Sequence, residues 1–219
     1  MPTLYGAPIS PFVRKVMVAL SEKGIAYEHE PVAPAVAPPE MPRVSKDISP
    51  LGRIPAYRDA DFALADSSVI IAYLERVKPS PPLYPSDTRD YARALWFEEY
   101  GDGGLAPILA GKIFFQKIAG PAFFKQPTDE AVVNKAINEE LPPLLDYLET
   151  QLGNGDWLVG RGFSIGDIGV ATQFAQASLC GVSPDAKRWP KLAAYVHRAL
   201  ARPSFADAIA KAKAMLGLK

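Results

Sequence analysis

The first half of the chain is organised around the stretch Thr3-Leu-Tyr-Gly-Ala-Pro-Ile-Ser-Pro-Phe-Val-Arg-Lys-Val16. Its start predicts a short strand, and from Ser10 onward the apolar residues recur at helical spacing. Ser10 is then the predicted N-cap, and Pro11 occupies the first helical position, where its missing N–H costs nothing. A serine at this place lies beside free amides and the positive end of the helix dipole, where an anion is stabilised. A plain helix cap is the alternative interpretation of Ser10.

Two further stretches add to this pattern. Residues Ser49-Pro-Leu-Gly-Arg-Ile-Pro55 predict a turn that enters a strand at a proline. Residues Leu64-Ala-Asp-Ser-Ser-Val-Ile-Ile-Ala-Tyr-Leu-Glu75 predict the end of a strand and a helix capped by Asp66. Together with a second strand predicted over residues 26–30, the order of elements is β-α-β, a loop, and β-β-α.

With these motifs in this order, and with a helical second half, the chain resembles the cytosolic glutathione transferases over essentially its whole length. Ser10-Pro11-Phe12 is most similar to the serine-type classes of that family. The resemblance implies an α/β thioredoxin-like N-terminal domain followed by an all-α helical-bundle C-terminal domain. In the thioredoxin-like fold the residue before a cis proline faces the ligand, and here that pair is Ile54-Pro55.

The domain boundary is predicted at Lys78-Pro-Ser-Pro-Pro-Leu-Tyr-Pro-Ser86, where closely spaced prolines favour an extended linker. We therefore predict a glutathione-binding domain over 1–78, a linker over 79–86 and a helical domain over 87–219. Within the helical domain, glycines at 101, 103 and 104 with Pro107 predict a break or kink, after which the helix resumes through Phe114 and Phe115. Ser164 and Asp167 predict a capping box, to which we assign a structural role. The flanking Gly166 and Gly169 should weaken the capped helix by roughly 1 kcal/mol each.

Composition narrows the class of protein. Lys plus Arg and Asp plus Glu number 24 each, so nothing indicates a nucleic-acid or acidic-membrane partner. The N-terminus has no basic region before an apolar run, and no stretch approaches the length of a membrane span, so we expect a cytoplasmic protein. Cys180 is the only cysteine of the chain, so we expect no internal disulfide. His29 and His197 are the only histidines, so we also expect no metal site.

The resemblance implies a glutathione site built on these motifs. The γ-glutamyl end is expected at Asp66 and the first turn of the helix that Asp66 caps, and the cysteinyl backbone is expected along Ile54. The predicted glutathione contacts are Phe12, Arg53, Ile54, Pro55, Asp66 and Ser67, with Lys46 as the alternative to Arg53 for the glycyl carboxylate. Taken alone, Asp66 could be an ordinary N-cap and Arg53 a solvated charge.

Ser10 is the predicted catalytic residue, because its hydroxyl would stabilise the thiolate of glutathione without itself attacking. Tyr5 is the rival donor, since other classes of the family use a tyrosine near the end of the first strand. The electrophile pocket is expected between the domains. Its predicted walls are Ile9, Phe12, Tyr100, Phe114 and Phe115, for each of which a place in the core is an equally good interpretation.

The resulting hypothesis is a homodimeric enzyme of detoxification, which conjugates glutathione as co-substrate to small hydrophobic electrophiles. Peroxide reduction, dehalogenation and isomerisation with glutathione remain open, and so does a non-catalytic binding or regulatory protein that keeps the fold. A glutathione-dependent disulfide reductase is disfavoured, because the position that such enzymes give to cysteine is Ser10 here.

Overall fold

The computed structural model describes residues 1–153 and 155–218 of the chain. These residues form two compact units, Met1–Pro82 together with the residues from Pro203 onward, and Leu83–Arg202. Of the predicted helical domain 87–219, Asn154 and Lys219 lie outside the described residues.

The first unit is built on a four-stranded sheet with the order β2-β1-β3-β4. The strands are β1 (Thr3–Tyr5), β2 (Glu28–Glu30), β3 (Ala56–Asp59) and β4 (Phe62–Ala65). β1 pairs in parallel with β2 and antiparallel with β3, and β3 pairs antiparallel with β4. Because β1 and β2 are parallel, a crossover helix must connect them. The predicted β-α-β and β-β units are therefore confirmed, although β2 begins two residues later than the pattern indicated.

Two helices of this unit follow strand ends and begin at side-chain caps. α1 spans Pro11–Glu22 after its N-cap Ser10, and α2 spans Ser67–Val77 after its N-cap Asp66. Both caps lie where the sequence predicted them, because a cap depends only on the residues beside it. The caps place the N-termini of α1 and α2 in the same unit as the start of β3.

The second unit, Leu83–Arg202, is helical. Its helices are α3 (Thr88–Glu99), α4 (Ala106–Ile108), α5 (Glu130–Lys135), α6 (Leu141–Gln151), α7 (Ile165–Ser178) and α8 (Pro190–Leu200). Wider π-helical turns occupy Tyr100–Leu105, Leu109–Phe124 and Ala136–Glu140. At the place of the predicted break or kink, the helix continues through widened turns and is not interrupted. Within the described ranges, none of the helices is both long and apolar enough to cross a membrane.

Glycines allow α7 to pack closely against α3 and the turn that follows it. A Cβ at Gly169 would lie 2.8 Å from the α-carbon of Glu98, and a Cβ at Gly101 would lie 2.4 Å from the carbonyl oxygen of Gly169. Real Cβ atoms do not approach other atoms so closely, and forcing one in would require the helices to separate. The glycines that weaken α7 as an isolated helix therefore permit its packing in the folded unit.

The last helix, α9 (Pro203–Leu216), packs on α1 of the first unit. The hydroxyl of Ser204 donates a hydrogen bond to a carboxylate oxygen of Glu22 at 2.5 Å. This packing explains why the residues from Pro203 onward group with residues 1–82, whereas the sequence-based boundaries placed them in the helical domain. Together with α2, α9 covers α1 so completely that Arg14 and Lys15 are fully buried.

Candidate functional site

A cavity of about 190 Å³ lies in the first unit, beside the start of β3, the end of β4 and the first turns of α1 and α2. It is lined by residues from all four places. They are Phe12, Ser49, Leu51, Arg53, Ile54, Pro55, Ala65, Asp66 and Ser67. All six residues predicted to contact glutathione therefore line one cavity.

The first turn of α2 forms one end of the cavity. Asp66 has a φ of +84° and caps the helix, since its Oδ1 accepts hydrogen bonds from the amides of Ser68 at 2.9 Å and Val69 at 3.3 Å. Its other carboxylate oxygen accepts no hydrogen bond from any described residue. Ser67 is buried, and within the described part of the chain its hydroxyl has no hydrogen-bond partner. This end of the cavity thus offers a carboxylate oxygen and an unengaged hydroxyl side by side.

Another part of the cavity wall is formed by Ile54 and Pro55, which are joined by a cis peptide bond as predicted. Pairing of β3 begins only at Ala56. The backbone N–H and C=O of Ile54 accordingly have no partner among the residues that the structure describes. A donor and an acceptor left open in this way can pair with the backbone of a bound peptide, as an added strand does.

The loop before Ile54 fixes the position of Arg53. The Ser49 hydroxyl donates to the carbonyl of Arg53 at 2.7 Å and accepts from its amide at 3.1 Å. Arg53 lines the cavity, and its guanidinium forms no ion pair or hydrogen bond with a described residue. Lys46, the alternative cation, is exposed and is not among the lining residues. Ser49 was not among the predicted site residues, although a serine four residues before Arg53, with Gly52 between them, is a sequence signal for such a turn.

Ser10 begins α1 with an extended backbone, at φ −74° and ψ 128°. Its Oγ accepts a hydrogen bond from the amide of Val13 at 3.4 Å. In the described residues, no group accepts the hydroxyl proton of Ser10. Ser10 is therefore confirmed as an N-cap with a free donor. It does not itself line the cavity, whereas Phe12, two residues further on, does.

Gly6 connects the loop before Ser10 to the cavity wall. A Cβ on Gly6 would lie 2.4 Å from Cγ2 of Val13 and 3.2 Å from Cβ of Ile54, and its φ of +143° suits glycine. His29 donates a hydrogen bond from Nε2 to the carbonyl oxygen of Gly6 at 2.8 Å. These contacts hold the loop against both α1 and Ile54, so the helix start that carries Ser10 is positioned next to the residues that form the cavity.

Tyr5, the rival donor, lies in β1 and is only partly buried. It packs against a small apolar cluster formed by Val32, Val44, Ile48 and Ala56. This contact gives Tyr5 a packing role in the sheet. Which of Ser10 and Tyr5 stabilises a thiolate stays a prediction.

The aromatic residues predicted for the electrophile pocket have contacts within the helical unit. The Tyr100 hydroxyl donates to the carbonyl of Leu144 at 3.1 Å, and burial, with the neighbouring Tyr147 as a second cause, raises the pKa of Tyr100 to about 12. Phe114 is buried, and the ring of Phe115 lies 5.6 Å from that of Phe124. Ile9, in the first unit, is half-buried. The pocket itself stays a prediction.

Cys180 is partly buried near the end of α7, and burial raises the pKa of its thiol to about 11. Because a thiol reacts mainly as its thiolate, Cys180 is poorly suited to be a nucleophile at neutral pH.

Comparisons with family descriptions and with individual proteins agree on one family. Residues 4–82 match the family description "Glutathione S-transferase, N-terminal domain", and residues 114–212 match "Glutathione S-transferase, C-terminal domain". Glutathione S-transferase 3 of Zea mays is 30% identical over 214 residues, which cover 94% of this chain and 92% of that protein.

Two solved structures extend the comparison. A glutathione S-transferase of Methylobacterium radiotolerans in complex with glutathione sulfonate is 28% identical, with a TM-score of 0.75 and coverage of 95% of this chain and 94% of that one. FzlA of Caulobacter crescentus has a TM-score of 0.85 at 24% identity, with coverage of 95% and 92%, which shows a shared fold.

Proposed function

The chain belongs to the glutathione S-transferase family, and on that premise we propose that it joins the sulfur of glutathione to small hydrophobic electrophiles. The observation that carries the proposal is the row of unengaged polar groups along one cavity. These are the Ser67 hydroxyl, the free oxygen of Asp66, the backbone of Ile54 and the Arg53 guanidinium. Each matches one charged or polar group of glutathione.

In this proposal the γ-glutamyl carboxylate binds the first turn of α2 through the Ser67 hydroxyl, where the helix dipole also favours a negative charge. The γ-glutamyl ammonium meets the free oxygen of Asp66 in a charge-assisted hydrogen bond. The cysteinyl backbone pairs with the N–H and C=O of Ile54. Arg53 binds the glycyl carboxylate, because a guanidinium matches a carboxylate with two parallel hydrogen bonds.

The chemical step needs the thiolate, since a free thiol has a pKa of about 8.5 and is mostly protonated at neutral pH. Ser10 donates its hydroxyl proton in a hydrogen bond to the sulfur anion and so favours ionisation, while the thiol proton passes to solvent. The thiolate then attacks an electrophilic carbon of the second substrate. A carbon–sulfur bond forms, and the leaving group departs with the electron pair of the broken bond.

The binding part of this proposal predicts that Asp66→Asn weakens glutathione binding by about tenfold or more. The amide oxygen of the introduced asparagine still caps α2, but the charge that meets the γ-glutamyl ammonium is lost. Isothermal titration calorimetry with glutathione measures the effect. Asp87→Asn is the matched control, because Asp87 caps α3 through two equivalent bonds, from Arg89 N at 2.9 Å and Asp90 N at 3.0 Å, and does not line the cavity. Equal affinity in Asp66→Asn and Asp87→Asn would contradict the proposed site.

A second candidate is a non-catalytic protein that keeps the fold and the glutathione site. It is favoured by the similarity to FtsZ-localized protein A of Caulobacter vibrioides, whose name records a location and no reaction, at 24% identity over 182 residues. Turnover of an aryl halide with glutathione distinguishes the two, and peroxide and isomerisation substrates belong in the same panel. Glutathione binding without turnover of any of these would favour the second candidate.

The proposal also includes a cytoplasmic location, a role in detoxification and a homodimer. The first unit exposes Phe62 of β4 by 47% and Val69 of α2 by 49%, apolar side chains that a second copy would cover. We expect sedimentation at micromolar concentration to give twice the chain mass of 23.7 kDa. A sedimenting mass of one chain at that concentration would remove the homodimer from the proposal.

A further inference from the structure

Lys15 is a lysine of α1 whose side chain is fully buried, at 0% exposure. Its ammonium nitrogen donates a hydrogen bond to Oγ of Ser68 at 2.8 Å. Ser68 is the second residue of α2, and its amide is one of the two that Asp66 caps. The ammonium of Lys15 therefore lies against the first turn of α2, one residue away from Ser67.

Lys15 is also three residues after Phe12 on α1. Phe12 lines the cavity, and residues three apart in a helix share a face. An ammonium taken out of water carries a large desolvation penalty, which a methionine of similar length would not carry. Here that charge lies next to the residues proposed to bind a carboxylate. It adds the charge of an ammonium group to the partial positive charge of the helix N-terminus.

The charges around this turn match those of the γ-glutamyl group. The exposed carboxylate of Asp66 suits the ammonium of that group, but by its own negative charge it repels the neighbouring carboxylate. Lys15 supplies a positive charge on the side of Ser68 that offsets the repulsion. The zwitterionic γ-glutamyl group would then face the carboxylate of Asp66 and the ammonium of Lys15, in addition to the amides of α2.

We propose that Lys15 is a positioning residue for glutathione, whose buried ammonium, held by Ser68, strengthens binding of the γ-glutamyl carboxylate at Ser67. This inference rests on the proposed function, because it places glutathione in the cavity. It goes further by assigning part of the affinity to a side chain that the bound peptide does not touch. Because its effect is electrostatic, it is specific to the one carboxylate next to the charge.

The test compares two peptides in calorimetry. Glutathione carries the γ-glutamyl carboxylate, and γ-aminobutyryl-cysteinyl-glycine is the same peptide without it. Lys15→Met removes the charge and keeps an apolar stem of similar length. We expect this variant to bind glutathione about tenfold more weakly and to bind γ-aminobutyryl-cysteinyl-glycine with unchanged affinity. The ratio of the two affinities therefore falls about tenfold. Lys15→Arg, which keeps the charge, should retain most of the parent ratio.

The ratio separates an electrostatic role from a structural one. If Lys15 only stabilises the packing of α1 against α2, Lys15→Met weakens the binding of both peptides equally, and that result overturns the inference. Lys23→Met is the matched control, because Lys23 is a second fully buried lysine, and its ammonium binds Glu75 at 2.5 Å and the carbonyl of Lys78 at 2.8 Å, none of which lines the cavity. It should lower stability and leave the ratio unchanged.

A further variant covers the case in which Lys15→Met does not fold. Ser68→Ala removes the hydrogen bond that holds the ammonium, and we expect it to lower the ratio about two- to threefold. The inference is overturned if Ser68→Ala keeps the parent's ratio of the two affinities while Lys15→Met either does not fold or also keeps that ratio. If the parent binds neither peptide, the proposed function itself fails. If the parent binds glutathione and every variant keeps its ratio, only the role of Lys15 fails.

Discussion

We expect Ser10→Ala to lower glutathione-dependent turnover at neutral pH by about tenfold or more, with glutathione affinity within about threefold of the parent. The affinity for glutathione is retained because Asp66, Ser67 and Ile54 bind the rest of the peptide. The turnover falls because a hydrogen bond to a charged group contributes about 1.5 to 3 kcal/mol, and one pKa unit corresponds to about 1.4 kcal/mol. Loss of the Ser10 hydroxyl should therefore raise the pKa of bound glutathione by about one to two units, toward the value of about 8.5 for a free thiol.

The measurement is the ultraviolet absorbance of the thiolate in the complex, followed against pH. Ser10→Thr is the matched control, since threonine keeps both the hydroxyl donor and the cap of α1, and it should titrate like the parent. Tyr5→Phe should also change little, because Tyr5 packs against the apolar cluster of Val32, Val44, Ile48 and Ala56. An unchanged titration in Ser10→Ala together with a shifted one in Tyr5→Phe would transfer the role to Tyr5.

The features that the sequence predicted well are local ones. Ser10, Asp66 and the pair Ser164 and Asp167 each cap a helix in the structure, as the residues beside them indicated. A cap is formed within three or four residues, so its chemistry can be recognised without knowing the rest of the fold. The resemblance then ordered these local elements into two domains, and the fold of the first could be predicted almost strand by strand.

The features that were missed depend on contacts between distant parts of the chain. Lys15 and Ser68 are 53 residues apart, and Arg14-Lys15 in the sequence has the appearance of a solvated polar face of α1. That face is buried because α2 and α9 both pack on α1, and helical periodicity does not show that a helix near the end of the chain covers it. Gly101 and Gly169 are a second example, since only the contact between their helices reveals why glycine is needed there.

The largest expected effect on stability is at Asp167, which is fully buried at the start of α7. Its Oδ1 accepts a hydrogen bond from the amide of Leu158 at 3.0 Å, and its Oδ2 accepts one from the amide of Ser164 at 2.9 Å. Asp167→Ala leaves both amides buried without these acceptors, and each such loss costs about 1 to 3 kcal/mol. We expect the variant to be less stable by about 3 kcal/mol near pH 5, with activity per folded molecule unchanged.

Burial also makes this stability difference depend on pH. It raises the pKa of Asp167 from 3.8 to about 6, against the opposing effect of the hydrogen bonds from Leu158 and Ser164. Between about pH 4 and pH 6 the unfolded chain has lost this proton while the folded chain retains it, so raising the pH favours unfolding. The contribution of the raised Asp167 pKa to the free energy of unfolding is therefore complete below about pH 4 and is lost as the pH rises through about 6. From about pH 5 to pH 7.5 the difference between parent and Asp167→Ala should shrink by roughly 1 to 2 kcal/mol.

Urea denaturation followed by tryptophan fluorescence measures this difference, because Trp96, Trp157 and Trp189 all lie in the helical unit Leu83–Arg202. Asp129→Ala is the matched control, since the exposed Asp129 caps α5 through two amides, at 3.0 Å and 3.2 Å, and its loss should cost only about 1 kcal/mol. A difference that grows between the two pH values would mean that the hydrogen bonds from Leu158 and Ser164 outweigh burial and hold the carboxylate ionised. A variant that is as stable as the parent but inactive would move Asp167 from a structural role to the chemistry.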